Sequence, residues 1–340
     1  MQTLYIYLAG ISLLAILLTW RDKASAKRRE QRVPERTLLL VSALGGSVAM
    51  LTTMLLIRHK TKHRKFTLGI PALIVLQIAS VALALDQSLS VNHYTVNTNK
   101  ITAPVRLALV TDLHSCDYGN GQDRLIKAVL SEQPDVILLG GDIFDDDLPP
   151  EKGIEFVSGI ARKAPIYYVS GNHEFWSRRA DKFKDILISY GVKVLEGTAE
   201  DIEIRGERLR IYGIDDPDTG YYPSRALPYA EQLRRLRKDA STDRYRILLA
   251  HRPERVAEYL PIGFDMALFG HAHGGQWRIP WVLESGLFSP GQGLFPKYSN
   301  GMHISGQTTM IVSRGMAKES TDVPRVFNRP ELVMITLIGR

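Results

Sequence analysis

The sequence predicts an α/β domain carried on an apolar, helical N-terminal segment, and three observations support that reading. Three uncharged apolar runs lie within the first 86 residues. Beyond Asn99 the pattern changes to short apolar runs alternating with amphipathic stretches, as strands interleaved with helices require. Clusters of Asp, Asn and His follow directly after several of those short runs, the edge where open α/β sheets build their sites. With 340 residues and 45% hydrophobic content, the chain can bury one large core and carry a smaller module.

The apolar runs extend roughly from Leu4 to Trp20, Thr37 to Ile57 and Leu68 to Leu85. Each approaches the about 20 residues needed to cross a bilayer. Buried helices of a soluble domain would show polar stripes that these runs lack, so membrane spans are expected. The first run has no basic start and is followed by charge, unlike a signal peptide. Residues 1–86 hold 12 Lys/Arg against 4 Asp/Glu, a net of +8, whereas the other 254 hold 31 against 32, a net of −1. The basic balance therefore belongs to the segment between apolar runs, which points to an anionic membrane surface and away from a nucleic-acid partner. The single cysteine, Cys116, excludes an intramolecular disulfide.

Both loops around the second run are basic, from Arg21 to Arg36 and from Arg58 to Lys65. A simple span would place them on opposite faces, against the positive-inside rule. Two readings stay open: a re-entrant run interrupted at Gly45-Gly46, or a basic loop translocated despite its charge. Five basic residues precede the third run and only Asp86 follows it closely, which favours a cytoplasmic start and an outside end. The expected placement is a multi-pass protein of a cell (inner) membrane with the domain after residue 86 extracytoplasmic. Ala82-Leu83-Ala84 also has the small residues of a cleavage site. With Gly45-Gly46 and the stretch Arg58-His59-Lys60-Thr61 through Lys65-Phe66, this segment resembles a small family of bacterial membrane proteins of unknown function. His59 and His63 have the i, i+4 spacing of a shared metal, but unliganded juxtamembrane polar residues carry more weight. The expected division is a membrane segment over 1–86, a linker over 87–100 and a domain over 101–340.

Within that domain Val105 to Val110 reads as a buried strand and Gln122 to Gln133 as a helix presenting Leu125, Ile126, Val129 and Leu130 on one face. Val136 to Leu139 and Ile166 to Val169 read as strands. Ile154 to Arg162 and Ser177 to Tyr190 read as helices, the second stopped by Gly191. A hairpin is expected from Ile202–Ile204 to Leu209–Ile214 across Gly206-Glu207, and further strands over Arg246–Ala250, Met266–Phe269 and Leu332–Ile338.

Asp112 and His114 follow the first of these strands, Gly141-Asp142 the second and Gly171-Asn172-His173-Glu174 the third, while His251 and Gly270-His271-Ala272-His273 follow two others. Each motif alone is weak, and a lone histidine after a strand is usually structural. Five of the nine histidines sharing one structural position is a different matter. Carboxylate oxygens and neutral imidazoles suit Mn²⁺, Fe or Zn²⁺, and a carboxylate such as that of Asp142 can bridge two ions about 3.5 to 4 Å apart. Two such ions activate a shared water and neutralise phosphoryl oxygens, while a nearby histidine can protonate the leaving alkoxide.

As a set, Asp112-x-His114, Gly141-Asp142, Gly171-Asn172-His173-Glu174, His251 and Gly270-His271-x-His273 resemble the full signature of the calcineurin-like metallophosphoesterases, in the family's order. The resemblance covers roughly residues 100–340 and implies a four-layer αββα sandwich with two divalent metal ions. It assigns Asp112, His114 and His273 to one metal and Asn172, His251 and His271 to the other, with Asp142 bridging. His173 becomes the non-ligand that protonates the leaving group or contacts phosphate. Phosphoprotein phosphatases of this superfamily carry Arg and Gly after Gly-Asp-x-x-Asp, where this chain has Asp146 and Asp147, so a phosphoprotein substrate is less expected. Gly270 to Pro280, Gly291 to Tyr298 and Pro324 to Pro330 resemble a bacterial membrane-associated or exported branch linked to nucleotide-sugar lipid and phospholipid diesters.

The expected activity is hydrolysis of a phosphodiester or pyrophosphate bond in a phosphate-ester substrate, one that tethering would favour if lipid-linked. A phosphomonoesterase or nucleotidase with the same site is the alternative. An inactive membrane scaffold is a third reading, against which the intact set argues. Cys116 reads as a small buried filler, His93 and His303 as unliganded, and Trp277 and Arg278 as equally suited to packing or substrate contact. Glu174 reads as orienting His173 or a ligand, and Asp145 to Asp147 as a solvated loop.

Overall fold

The computed structural model describes residues 2–239, 243–318 and 323–339, and the chain divides into two compact units, 1–84 and 85–340. The first contains α1 (Gln2–Arg28), α2 (Glu35–Val41), a π-type turn (Ser42–Gly46), α3 (Ser47–Leu56), α4 (Arg64–Thr67) and α5 (Gly69–Ala84). Three helical stretches are long and apolar enough to cross a membrane: Tyr5–Arg28, Glu35–Leu56 and Arg64–Ala84.

The second stretch is folded back on itself. Gly45 adopts φ 112° within the turn, a region side chains avoid. Ser42 Oγ meets Met50 Sδ at 3.1 Å, although a straight helix would set those residues about 12 Å apart. The turn frees backbone carbonyls, which when buried need partners. Gln77 of α5 answers that need, donating to the carbonyls of Ser42 and Ala43 and accepting from Ser47 Oγ. The two ends of the hairpin meet at Asp22, which is fully buried. His59 Nε2 lies 2.7 Å from its carboxylate, Val33 N–H donates to it at 3.1 Å, and Lys60 Nζ and Arg32 Nη2 each stand 3.3 Å away. Lys60 also reaches Glu35 at 3.5 Å, and Lys23 donates to the carbonyl of Ile57. His59 is thus buried against Asp22 while His63 is exposed, so the two do not share a site.

The second unit contains β1 (Ser90–Thr98), β2 (Val105–Val110), α6 (Asp123–Ser131), β3 (Val136–Gly140), α7 (Glu151–Ile160), β4 (Ile166–Val169), α8 (Asn172–Trp176), α9 (Ala180–Ser189) and β5 (Lys193–Val194). It continues with β6 (Thr198–Ile204), β7 (Glu207–Gly213), α10 (Tyr229–Arg237), β8 (Tyr245–Leu249), α11 (Val256–Tyr259) and β9 (Met266–Phe269). A short ribbon of β10 (Phe288–Ser289) and β11 (Gly293–Leu294) precedes β12 (Gly301–Ser305), β13 (Thr308–Val312) and β14 (Glu331–Gly339). One six-stranded sheet runs β1-β14-β2-β3-β4-β5 and the other β12-β13-β9-β8-β7-β6.

Alternation along the strands builds four layers. Leu107 and Leu109 of β2 enter the core between the sheets, facing residues such as Ile211, Ile247 and Leu249. Ala108 and Val110 point the other way, where Leu125 and Val129 of α6, Phe156 of α7 and Phe183 of α9 cover the first sheet. Leu233 and Leu236 of α10 and Tyr259 of α11 cover the second sheet beside Tyr212 and Leu248. The architecture is the αββα sandwich.

Residues 87–100, expected as a linker, instead include β1, which pairs in parallel with β14 from Ser90↔Glu331 to Thr98↔Gly339. Its sequence, Ser-Val-Asn-His-Tyr-Thr-Val-Asn-Thr, carries few apolar residues because it is a half-buried edge strand with little core to fill. Within each sheet four neighbouring strands run parallel, β2-β3-β4-β5 and β7-β8-β9-β13. Their carboxyl ends supply the loops considered next.

Candidate metal centre

Asp112 and His114 follow β2, Asp142 follows β3, Asn172 opens α8 after β4, His251 follows β8, and His271 and His273 follow β9. Five loops from two sheets thus bring the seven side chains together, and all are buried. One ligand atom each from Asp112, His114 and His273 lie within 4.8 Å of one another, and the same holds for Asp142, His251 and His271. His251 Nε2 stands 3.0 Å from Asp142 Oδ2 and 4.0 Å from Asp112 Oδ1, while His114 Nε2 is 3.7 Å from Asp142 Oδ2.

The backbone is bent to achieve this. Asp112, His114, Asp142, His271 and His273 have φ of 51°, 49°, 51°, 63° and 46°, a left-handed conformation costing a side-chain-bearing residue about 1–2 kcal/mol. Strain gathered on one rim is the mark of a functional site. Cross-loop hydrogen bonds hold it: Asp112 N–H donates to the Gly141 carbonyl at 3.0 Å and His114 N–H to that of Asp142 at 2.9 Å. At Gly270 a Cβ would land 2.5 Å from Asp112 Oδ2 and 2.8 Å from Thr111 Cβ, so the loop bearing His271 can close only without a side chain there.

Each aspartate has one oxygen tied and one open. Asp112 Oδ1 accepts from His271 N–H at 2.8 Å and Asp142 Oδ1 from His173 N–H at 2.9 Å. Asp112 Oδ2 and Asp142 Oδ2 are buried without a hydrogen-bond partner, as are His114 Nε2, Asn172 Oδ1, His251 Nε2 and His271 Nε2. Such orphaned groups cost about 1–3 kcal/mol each unless something meets them. The outer ring nitrogens are occupied: His114 Nδ1–H donates to Asp145 Oδ2 at 2.9 Å and His251 Nδ1–H to the Gly140 carbonyl at 2.9 Å. In its neutral form each ring therefore presents Nε2 as a lone pair toward the other rim side chains.

The electrostatics match a donor set. Burial opposes ionisation of Asp142, but the charges of His251 and His173 hold it well below the usual carboxylate range. Burial pushes His271 and His273 well down, helped by neighbouring cations, so both offer neutral imidazoles. His251 is the exception: burial acts against its charge, yet Asp142 beside it lifts the imidazole to about 10.

His173 sits at the edge, partly exposed, with Nδ1–H donating to Asp146 Oδ1 at 2.5 Å. Burial opposes its protonation, but Asp142 and Asp146 outweigh that and raise its pKa. Trp176 flanks it at 4.7 Å between ring centroids. Of the acidic stretch 145–147, expected as a solvated loop, Asp147 is exposed, whereas Asp145 is buried against His114 and Asp146 orients His173, so these two are built into the rim. Glu174 clamps loops more widely than expected, accepting from the N–H groups of Asp142, Ile143, Phe144 and Gly171. Arg325 and Asn328 went unremarked in the sequence. Arg325, buried, lies 3.4 Å from His273 Nδ1, and Asn328 donates to the His273 and Gln276 carbonyls. Cys116 is buried and accepts from Lys318 N–H. His93 pairs with Glu132, and His303 with the Asn300 carbonyl.

Sequence comparison finds the family described as calcineurin-like phosphoesterase over residues 105–275, and a family described as a protein of unknown function, DUF1294, over residues 12–66. Phosphodiesterase YaeI of Escherichia coli is 28% identical over 242 residues, 69% of this chain and 83% of that protein. The uncharacterized metallophosphoesterase Cj0846 of Campylobacter jejuni is 27% identical over 280 residues, covering 79% of this chain and 69% of that one. A Danio rerio transmembrane protein with metallophosphoesterase domain is 25% identical over 245 residues, 68% of this chain and 53% of its own. Among solved structures, the NAD nucleotidase of Haemophilus influenzae superposes with a TM-score of 0.45 at 14% identity, over 64% of this chain and 46% of that one. The chain spans about half the length of that enzyme.

Proposed function

The chain belongs to the calcineurin-like phosphoesterase family, and from that premise we propose that it cleaves a phosphodiester or pyrophosphate bond using two divalent ions held by the rim side chains. The protein is a phosphoester hydrolase. One observation carries the two-ion reading: six buried ligand-type atoms, each from a different residue of the rim loops, have no hydrogen-bond partner outside the rim. Asp112, His114 and His273 would hold one ion, Asn172, His251 and His271 the other, and Asp142 both. Oxygen and neutral imidazole donors without thiolate suit Mn²⁺, Fe or Zn²⁺. When bound, the ions would supply Lewis acidity to the phosphoryl oxygens and lower the pKa of water.

The chain's own residues do the rest. His173, its raised pKa favouring the imidazolium, would deliver a proton to the leaving oxygen, while Asp146 keeps its Nδ1 occupied and its Nε2 turned to the site. Asp145 and the Gly140 carbonyl fix the rings of His114 and His251 in the ligating tautomer. The relative named as a phosphodiesterase supports a diester over a monoester.

The hairpin fold of the second apolar stretch supports the re-entrant reading of the membrane segment. Both basic loops then lie on one face, the positive-inside rule holds for both, and that face is cytoplasmic. The 21 residues of Arg64–Ala84 rise about 31 Å, enough to leave that face and cross. The downstream unit would therefore begin outside the cytoplasm, held at the bilayer where a lipid-linked ester is concentrated. A reporter fused at Ser90 that is active only in the cytoplasm would overturn this placement. For the chemistry, full-length protein loaded with Mn²⁺ is expected to hydrolyse bis(p-nitrophenyl) phosphate faster than p-nitrophenyl phosphate. The reverse preference would favour a phosphomonoesterase. Failure to retain stoichiometric metal, with no turnover of either ester, would end the proposal.

A further inference from the structure

Immediately after the metal loop, residues 277–297 form a lobe whose apolar side chains face solvent. Trp281 is 92% exposed, Val282 79%, Phe295 68% and Leu294 65%. Only Arg278, Glu284 and Lys297 carry charge in this segment. The exposed groups are contiguous: Trp281, Val282 and Phe295 line one surface hollow, and Trp281 also borders another with Ile279 and Phe327. Soluble surfaces seldom leave such a patch uncovered.

The lobe is not a loose excursion. Leu287 N–H donates to the carbonyls of Gly275 and Trp277 at 2.9 and 2.8 Å, and Phe295 N–H donates to the Leu287 carbonyl at 2.8 Å. Trp277 Nε1–H is fixed on the Pro324 carbonyl at 2.9 Å. Backbone bonds thus mount the apolar tip directly on the turn that carries His273.

Beneath Trp281 lies a cavity of about 290 Å³ lined by Arg278, Arg314, Glu284, Ile279, Trp281 and Phe327. Arg314 is paired with Glu331 at 2.6 Å. Arg278 donates to Asn300 Oδ1 at 3.4 Å and has no carboxylate within ion-pair distance among the described residues. Burial and Arg314 work against its charge while Glu331 and Glu284 favour it, and with no described carboxylate in contact the guanidinium is placed to take an anion in the cavity.

Which surface meets this lobe follows from the chain itself. Three stretches are long and apolar enough to cross a membrane, which on the proposed placement would keep a bilayer nearby, and tryptophan, phenylalanine and leucine beside a few cations are the composition of an interfacial anchor. We infer that the 277–297 lobe docks on an anionic bilayer, with Trp281, Val282, Leu294 and Phe295 entering the headgroup region and Arg278 taking a lipid phosphate in the cavity beneath. The inference rests on the phosphoesterase reading for its purpose, which is to bring lipid phosphates to the rim.

The test uses full-length protein in vesicles of phosphatidylethanolamine and phosphatidylglycerol, with an environment-sensitive NBD label on Val282→Cys and, as control, on Lys127→Cys. Cys116 is buried, and unlabelled wild type checks that it stays unreactive. The label at 282 is expected to shift to the blue and to be quenched by brominated acyl chains, while the label at 127 is not. Adding Trp281→Ser with Phe295→Ser, substituting Arg278→Gln, or exchanging phosphatidylglycerol for phosphatidylcholine should each reduce the quenching towards the control. Turnover of bis(p-nitrophenyl) phosphate by the Lys127→Cys protein should match wild type, and the Val282→Cys protein should keep the wild-type circular dichroism spectrum, showing that both fold. Equal quenching at 282 and 127 with that turnover and spectrum retained would overturn the docking surface. So would a 282 label shielded without bromolipid quenching and cross-linking between copies, which would mark a protein interface. Quenching at 282 without ester turnover in wild type would leave docking standing and remove the phosphoesterase reading.

Discussion

Two places in this molecule bury several ionisable groups together, and they are built in opposite ways. At Asp22 every group closes on another: the carboxylate meets His59, Lys60, Arg32 and the Val33 N–H, and none of these side chains is among the described buried groups without a partner. At the rim, Asp112, His114, Asp142, Asn172, His251 and His271 each keep one buried atom open toward the others. A closed cluster is complete as it stands and fastens the ends of a hairpin. An open one is complete only when something else arrives, and its strained backbone shows that the fold bears a cost to keep it open.

The largest expected effects separate the two directly. Asp142→Ala should lower ester hydrolysis by about 10³-fold or more, about 4 kcal/mol of barrier, since on the proposed arrangement one residue would serve both ions. In the metal-free protein the same change should lower stability only while His251 is charged, because that imidazole then loses its carboxylate, and should leave it near wild type at alkaline pH. Asp22→Ala should do the reverse. It leaves buried His59 without its partner and Lys60 with Glu35 alone, destabilising the N-terminal unit by about 3–5 kcal/mol, while turnover of a soluble ester per folded molecule is retained. Chemical unfolding followed by circular dichroism, beside the ester assay, checks both, and a matched loss of activity and stability at either site would collapse the contrast.

Smaller changes test how the rim is kept open. Gly270→Ala places a methyl against Asp112 Oδ2 and Thr111, an overpacking worth about 1–3 kcal/mol, and should lower metal content measured by plasma emission without abolishing folding. Asp145→Asn keeps the turn that its Oδ1 supports but weakens the acceptor for His114 Nδ1–H. Metal affinity should fall by about 10-fold or somewhat more. Unchanged affinity would return Asp145 to the role of a solvated loop residue.

The rim was legible in the sequence because each ligand follows a short apolar strand, and strand ends can be read from apolar runs bounded by Gly and polar residues. The resemblance then ordered the ligands. What surrounds them was harder to see. Asp145 and Asp146 look like any acidic turn, and their contacts to His114 and His173 depend on loops from two different strands meeting. Arg325 lies 52 residues from His273, and nothing local announces the pairing. The edge strand Ser90–Thr98 hid because a strand buried on little of its surface needs few apolar residues. The membrane segment was ambiguous for a simpler reason: hydropathy measures length and composition, and a helix broken at Gly45 has the same composition as a straight one.

The last test of the open cluster is its proton. In the metal-free protein His251 is held at about 10, burial opposing the charge and Asp142 overcoming it. A ligand needs the Nε2 lone pair, so loading metal near neutral pH must expel a proton. Affinity should therefore rise with pH, by up to about tenfold per unit for one proton. The folding contribution of the metal-free pair has the opposite trend. A group raised from 6.5 to about 10 adds stability that is fully present below its unfolded value and lost as pH rises through the folded one. Metal-free protein should lose stability toward alkaline pH just where metal binds most tightly, so the stabilisation conferred by saturating metal grows across that range. Calorimetric titration in two buffers of different ionisation enthalpy reads the released proton. Metal binding with none released would mean that His251 is not a ligand.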